Sequence, residues 1–372
     1  MPKTGIANLP LHGGKAPRWL FRRMVSLSQA VTDVILLEYG KKELLRKLSN
    51  PFWFQALACV LAWDWHSSGA TTVTCGALKE AINPEKHGLA IVGGKGKASK
   101  KTLEQIDAIG ELLNISSSKQ ATFKYASRMA AKIDNAAIQD GHSLYHHSFI
   151  FTEDGLWSVI QQGMNEKTNY ARRYHWFSDR FRSYICEPNN EILGEKRQPA
   201  VLNMTSVDSV NAQKISVDLV NDHPRHLRGD WALLTKHCHQ HTLDQWISPH
   251  VPQLPVPCLD MPRTLNWRKM QEIYDVQPRN YEELIALRGV GPSTIRALAL
   301  IADLVYNQKA SWMDPIKYTF AHGGKDGVPY PVDKPTMDES TEILHMAVAQ
   351  AEIGEKEKLR ALQSLHAFSR SE

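Results

Sequence analysis

The chain has 372 residues and a formal charge of +5, from 44 Lys and Arg against 39 Asp and Glu. With 42% apolar and 22% charged residues it is globular in composition, which excludes wholesale disorder. The five cysteines are odd in number, scattered and without a CxxC, which argues against a disulfide scaffold and for a reducing cytosol.

The small positive excess fits a nucleic-acid binder without demanding one. At roughly 100–200 residues per domain, the length predicts two or three domains. The longest apolar run, residues 52–63, is too short to span a bilayer, and residues 1–5 lack a basic n-region. The expectation is a cytoplasmic, nucleoid-associated protein with no membrane partner.

Residues 1–24 read as a loop with Gly13, Gly14 and Lys15 beside Arg18, Arg22 and Arg23. Residues 26–64 read as helical, with a second start at Ser49-Asn50-Pro51. In residues 83–101, Gly93, Gly94 and Gly96 alternate with Lys95 and Lys97. The GxxxxGK[ST] frame is missing, so the segment is read as an exposed basic loop able to track a nucleic-acid backbone, or as a plain linker. Residues 102–113 and 119–139 read as helices.

Residues 142–165 carry the clearest strand signal, an alternating run that turns at Asp154-Gly155 and returns as an antiparallel hairpin. Alternation puts Tyr145, His147, Phe149 and Phe151 on one face, and His146, Ser148 and Ile150 on the other. Basic and aromatic residues interleave from Tyr170 to Trp176, so Arg172 and Arg173 are candidates to grip phosphates, or an edge over a core. A further strand is predicted over residues 215–220. His237, Cys238, His239 and His241 tempt a metal reading, but the Glu of HExxH is absent. The prolines of residues 249–262 then mark a linker.

The most informative stretch is residues 280–298. Asn280 is an N-cap with Glu283 at the box position, and Leu284 and Leu287 anchor a short helix. Gly289-Val290-Gly291 forms a tight turn, and Pro292 starts a second helix whose apolar face is Ile295, Leu298, Ala302 and Val305. This pattern resembles a helix-hairpin-helix, the module that binds a DNA phosphate through backbone amides, here those around Gly289, Val290, Gly291, Ser293 and Thr294. Such binding reads no bases. An ordinary αα turn with a glycine stop is the plainer alternative.

Residues 287–294 are further similar to the hairpin of the helix-hairpin-helix DNA glycosylases. The resemblance implies a catalytic Asp downstream, for which the spacing points to Asp314 and the Pro331-Val332-Asp333 context to Asp333, and Asp333 is preferred. It places Ser293 where bifunctional members carry a Lys, which implies no lyase chemistry. Over nearly its whole length the chain also resembles an uncharacterised prokaryotic family with many thermophile members. That resemblance is carried by residues 4–5, 12–15, 63–72, 140–165, 172–176 and 314–333.

The organisation expected is α+β. A mixed α/β part with the antiparallel hairpin spans residues 1–248, a Pro-rich linker 249–262, and an all-α part 263–372 holding the helix-hairpin-helix at 280–307. The preferred function is DNA binding with base excision by a carboxylate beyond the hairpin, needing no cofactor. The alternatives are a nuclease using a divalent metal on Asp64, His66, Asp134, Asp140, His142, His146 and His147, or a non-catalytic DNA-binding scaffold. Gln363-Ser364-Leu365-His366-Ala367-Phe368 faintly resembles a sliding-clamp peptide, although an amphipathic terminal helix is the preferred reading.

Overall fold

A computed structural model describes Leu9 and residues 16–61, 67–188, 191–194, 198–247 and 265–316, with isolated helical positions from 338 to 363. Side chains of residues 236–247 lie outside the described set, as do the segments holding Asp64, His66, residues 249–262 and Asp333. The sliding-clamp resemblance also falls outside it, apart from Gln363.

Three helices open the chain: α1 (Arg18–Ser49), α2 (Pro51–Val60) and α3 (Gly69–Ala81). Asn50 ends the first and caps the second, its side chain accepting from the Phe52 and Trp53 N–H groups. After the short α4 (Pro84–His87) comes β1 (Leu89–Lys95), then α5 (Thr102–Leu112) and α6 (Ser117–Lys132). A π-turn over Ile133–Ala137 leads to the two-residue β2 (Ile138–Gln139). The strands β3 (Ser143–Thr152), β4 (Trp157–Asn165), β5 (Tyr170–Phe177) and β6 (Glu191–Leu193) complete a sheet of order β1-β3-β4-β5-β6. All its pairings are antiparallel. The chain returns through β7 (Leu202–Asn203), which pairs with β2, to α7 (Val210–Asn221) and α8 (Pro224–Ile247). Three helices follow: α9 (Trp267–Val276), α10 (Tyr281–Ala286) and α11 (Pro292–Leu304).

The sheet is buried on both faces. One face, with Ile91, Ile150, Ile160 and Phe177, packs on α1, α2 and α3. The other, with Val92, Phe149, Val159 and Trp176, shares a single apolar core with residues of α6, α7, α10 and α11. The architecture is α+β, as expected, with the hairpin strands at the centre of the sheet. Helices α10 and α11 pack directly into the core beneath one face.

Three local expectations are corrected. Residues 83–101 do not form an open basic loop: Leu89–Gly93 are buried as an edge strand, and Gly96–Lys101 turn as a 3₁₀ helix. Gly93 (φ +84) is required there, because a Cβ would lie 2.2 Å from the His147 carbonyl oxygen. Residues 215–220 belong to helix α7, which buries Ala212, Gln213, Ser216, Val217 and Val220 at helical spacing. The turn at Asp154-Gly155 is longer than two residues, closed by the Thr152 N–H donating to the Leu156 carbonyl at 3.0 Å.

Candidate nucleic-acid interface and adjoining cavity

The hairpin forms as its residue types dictate. The Asn280 side chain accepts from the Glu283 N–H at 2.9 Å, and Glu283 accepts from the Arg279 N–H at 2.8 Å, one residue earlier than a standard capping box. Gly289 takes φ +87, a conformation that favours glycine, and Pro292 occupies the first turn of α11. The first bond of α11 runs from the Ile295 N–H to the Gly291 carbonyl at 3.0 Å, so the Ser293 and Thr294 N–H groups precede it at the helix start. Arg288, Gly289, Pro292 and Ser293 are exposed, whereas Val290 and Ile295 are buried beneath them. Gly291 is different from Gly289. Its backbone is extended (φ −137), and a Cβ there would meet nothing within 4 Å. The fold itself supplies no reason for glycine at position 291.

Side chains from the α/β layer hold the hairpin, Lys132 foremost. Lys132, the last residue of α6, donates to the carbonyls of Ile285 (2.7 Å), Leu287 and Val290 (3.1 Å). Burial, with smaller contributions from the Lys269 and Arg128 charges, pushes its ammonium down to about 8. Gln139 joins the same contact, donating to the Pro292 carbonyl at 2.8 Å and accepting from Arg296 Nε at 2.9 Å. Lys269 also lies against Gly289.

Beside the start of α11 opens a cavity of about 360 Å³, lined by Ser293 and Arg296 from α11 and by Asn135, Gln139, His142 and Ser143. Asp140 also lines it, its carboxylate fully buried. That carboxylate accepts from Tyr174 Oη at 2.7 Å, Arg172 Nη1 at 3.1 Å and the His142 N–H at 3.0 Å. Burial works to raise the Asp140 pKa, but the His142 hydrogen bond and the Arg172 charge outweigh it and hold the carboxyl below its ordinary range. Arg172 in turn grips Asp314 bidentately, at 2.9 and 2.5 Å. Asp314 also accepts from the Gln198 and Ile316 N–H groups at 2.6 and 3.1 Å.

The candidate residues therefore separate. Gly289, Val290, Gly291, Ser293 and Thr294 come together at the hairpin. Lys95 and Lys97 are exposed at the end of β1, which pairs with His146, so they leave the sheet at the end where His142 leads into β3. Arg172 and Arg173 do not reach a backbone phosphate: both are buried, on opposite faces of β5. Arg172 is consumed by the two aspartates. Arg173 donates to Gln55 (2.9 Å) and the Pro51 carbonyl (3.2 Å) and stacks 4.8 Å from the Phe54 ring. Burial pushes it down to about 9. Asp314 sits wholly inside its ion pair, with a structural role. Asp333 lies outside the described residues.

The proposed metal set does not converge. Among the described residues no three His, Cys, Asp or Glu side chains are placed to hold one ion. Asp64 and His66 lie outside that set, and only Asp140 and His142 of the remainder meet. His146 and His147 point to opposite faces, as the alternation required. Burial pushes them down to about 3 and about 4 respectively, so both rings are neutral near pH 7. Asp134 accepts from Gln161 (2.5 Å) and Trp176 Nε1 (2.8 Å). This orients the Gln161 oxygen to His147 Nδ1 (2.8 Å) and leaves His147 Nε2 to Ser127 Oγ (2.8 Å). Every member of that relay is buried, so it braces the core. Lys132 and Gln139, which hold the hairpin, were missed because their partners lie far away in sequence.

The profile of a family described as "Protein of unknown function (DUF763)" matches residues 5–332. No curated protein and no solved structure matches the chain.

Proposed function

The chain belongs to the DUF763 family, and from the geometry of its hairpin we propose that it binds DNA independently of sequence, through the phosphate backbone. The observation that carries this is Gly291. It is a glycine with an ordinary extended backbone and open space around it, placed where α11 offers free N–H groups. Close approach by an outside group accounts for a missing side chain that the fold does not require. Arg288 and Arg296 place positive charge beside the turn, and Lys95 and Lys97 add exposed cations at one end of the sheet. Base excision through Asp314 has no support, because that carboxylate is closed inside its pair with Arg172.

The test is affinity for duplex and single-stranded DNA of several sequences across a salt series. Binding should vary little with sequence and fall steeply with salt. A Cβ at position 291 meets nothing within 4 Å, so the fold accommodates Gly291→Ala, and its expected effect, a loss of about tenfold in affinity, reports on the contact. Unchanged affinity in the folded variant removes the reading.

A further inference from the structure

His142 lines the cavity beside the hairpin with only 2% of its side chain exposed. Its Nδ1 lies 3.0 Å from the Asp140 carbonyl oxygen and 3.2 Å from the Asp140 carboxylate. Both are pure acceptors, so Nδ1 carries the hydrogen and Nε2 of the neutral ring keeps its lone pair. Among the described residues nothing bonds to Nε2. Nε2 is not sealed in the core as the unpartnered nitrogens of His146 and His175 are, so it is left open toward the cavity that the residue lines.

We propose that this cavity is a hydrolytic site for the DNA backbone, in which His142 is the general base that activates water against a phosphodiester. The proposal rests on the hairpin holding DNA. A phosphate at the start of α11 would stand at the mouth of the cavity, because Pro292 and Ser293 form part of its wall. Arg296, steadied by Gln139, supplies positive charge for the non-bridging oxygens. Apart from the imidazole no aromatic ring lines the cavity, so it has no platform for stacking an extruded base. The polar walls suit the backbone instead. Asp140 is a positioning residue: Arg172 and Tyr174 fix it, and it fixes the ring. In the step, the water oxygen bonds to phosphorus and one P–O ester bond breaks. His142 Nε2 accepts the water proton and passes it to the departing alkoxide through solvent, so no co-reactant is consumed.

The experiment uses the full chain with end-labelled single-stranded, duplex and flap DNA, in EDTA and with added magnesium, with DNA affinity measured separately. Strand cutting is expected in EDTA. His142→Ala should lower it by about 100-fold or more while affinity stays within about twofold. Added imidazole should restore part of the lost rate, which a purely structural ring would not allow, and His142→Gln provides a variant of similar size should the alanine variant not fold. Wild type that fails to bind DNA removes the hairpin reading and this proposal together. DNA that is bound but never cut, or cut equally by the variants, overturns the proposal and leaves the hairpin reading standing. Cutting that is abolished by EDTA assigns His142 to a metal and overturns its role as general base.

Discussion

Lys132→Met tests whether the hairpin is held from below by a captive ammonium. The substitution keeps a linear apolar stem and removes three donors, leaving the carbonyls of Ile285, Leu287 and Val290 without that partner. Ile285 and Val290 are buried residues, and an orphaned buried carbonyl costs about 1–3 kcal/mol. Two such groups give about 2–6 kcal/mol, brought toward the lower end because the site is half-buried and a charge is no longer desolvated. A net loss of about 2 kcal/mol should appear as a lower urea midpoint at constant slope. If all of it acts on the hairpin, DNA affinity falls by about 30-fold. The salt dependence supplies the decisive check. Lys132 faces carbonyls, so the slope of log affinity against log salt should be unchanged, whereas loss of a phosphate-contacting lysine would reduce it by about 0.9. A variant within about 0.5 kcal/mol of wild type with full affinity would refute the reasoning, as would a reduced salt slope. The pH dependence has two signs. With its pKa lowered from 10.5 to about 8, Lys132 makes folding more favourable as pH rises through that window, because the unfolded chain holds the proton that the folded one sheds. DNA affinity runs the other way, falling above about pH 8, because the neutral amine holds the three carbonyls, and with them the hairpin, less firmly than the ammonium does. Lys132→Met should lack both components.

Asp314→Asn should destabilise the protein by about 3–5 kcal/mol in urea, because it breaks a buried bidentate pair and leaves Arg172 short of a partner. A fully stable variant with altered activity would restore Asp314 as a chemical residue. Asp140 is held below its ordinary carboxyl range, so its stabilisation is present above the unfolded pKa and lost as pH falls through the folded one. His146 and His147, pushed down to about 3 and about 4, stay neutral where the unfolded chain takes up protons. Stability should therefore fall between about pH 6.5 and 4, by up to about 1.4 kcal/mol per pH unit for each ring. Replacing either by Gln should flatten that slope, and an unchanged slope would mean that the buried rings accept protons freely.

The turn between α10 and α11 was legible in the sequence because each of its signals acts within one turn of chain. The Asn280 cap, the left-handed Gly289 and Pro292 at a helix start depend on their immediate neighbours, and all three hold in the structure. The alternation through residues 146–151 likewise needed only the two-residue period of a strand, and it separated His146 from His147 correctly. A bulge between Leu144 and His146 turns Tyr145 onto the face of His146 and Gln162, against the alternation. Alternation reports which residues share a face and says nothing of what covers that face. Helix layers cover both faces of β5, so Arg172 and Arg173, legible as a basic surface, are interior residues with interior partners. The same limit explains residues 215–220, where β-branched residues suggested a strand. Packing against α11 and its neighbours set the helical period that buries Ala212, Ser216 and Val220. The site is still less local. Lys132 meets the Ile285 carbonyl across 153 positions of sequence, and Arg172 meets Asp314 across 142. His142 was only one member of a list of histidines and aspartates until Asp140 fixed its tautomer and α11 closed the cavity around it. Composition, capping and periodicity determined the elements and the hairpin. Which polar side chains face each other was decided by the burial of two cores against one sheet, since a buried charge must find a partner wherever the fold places one.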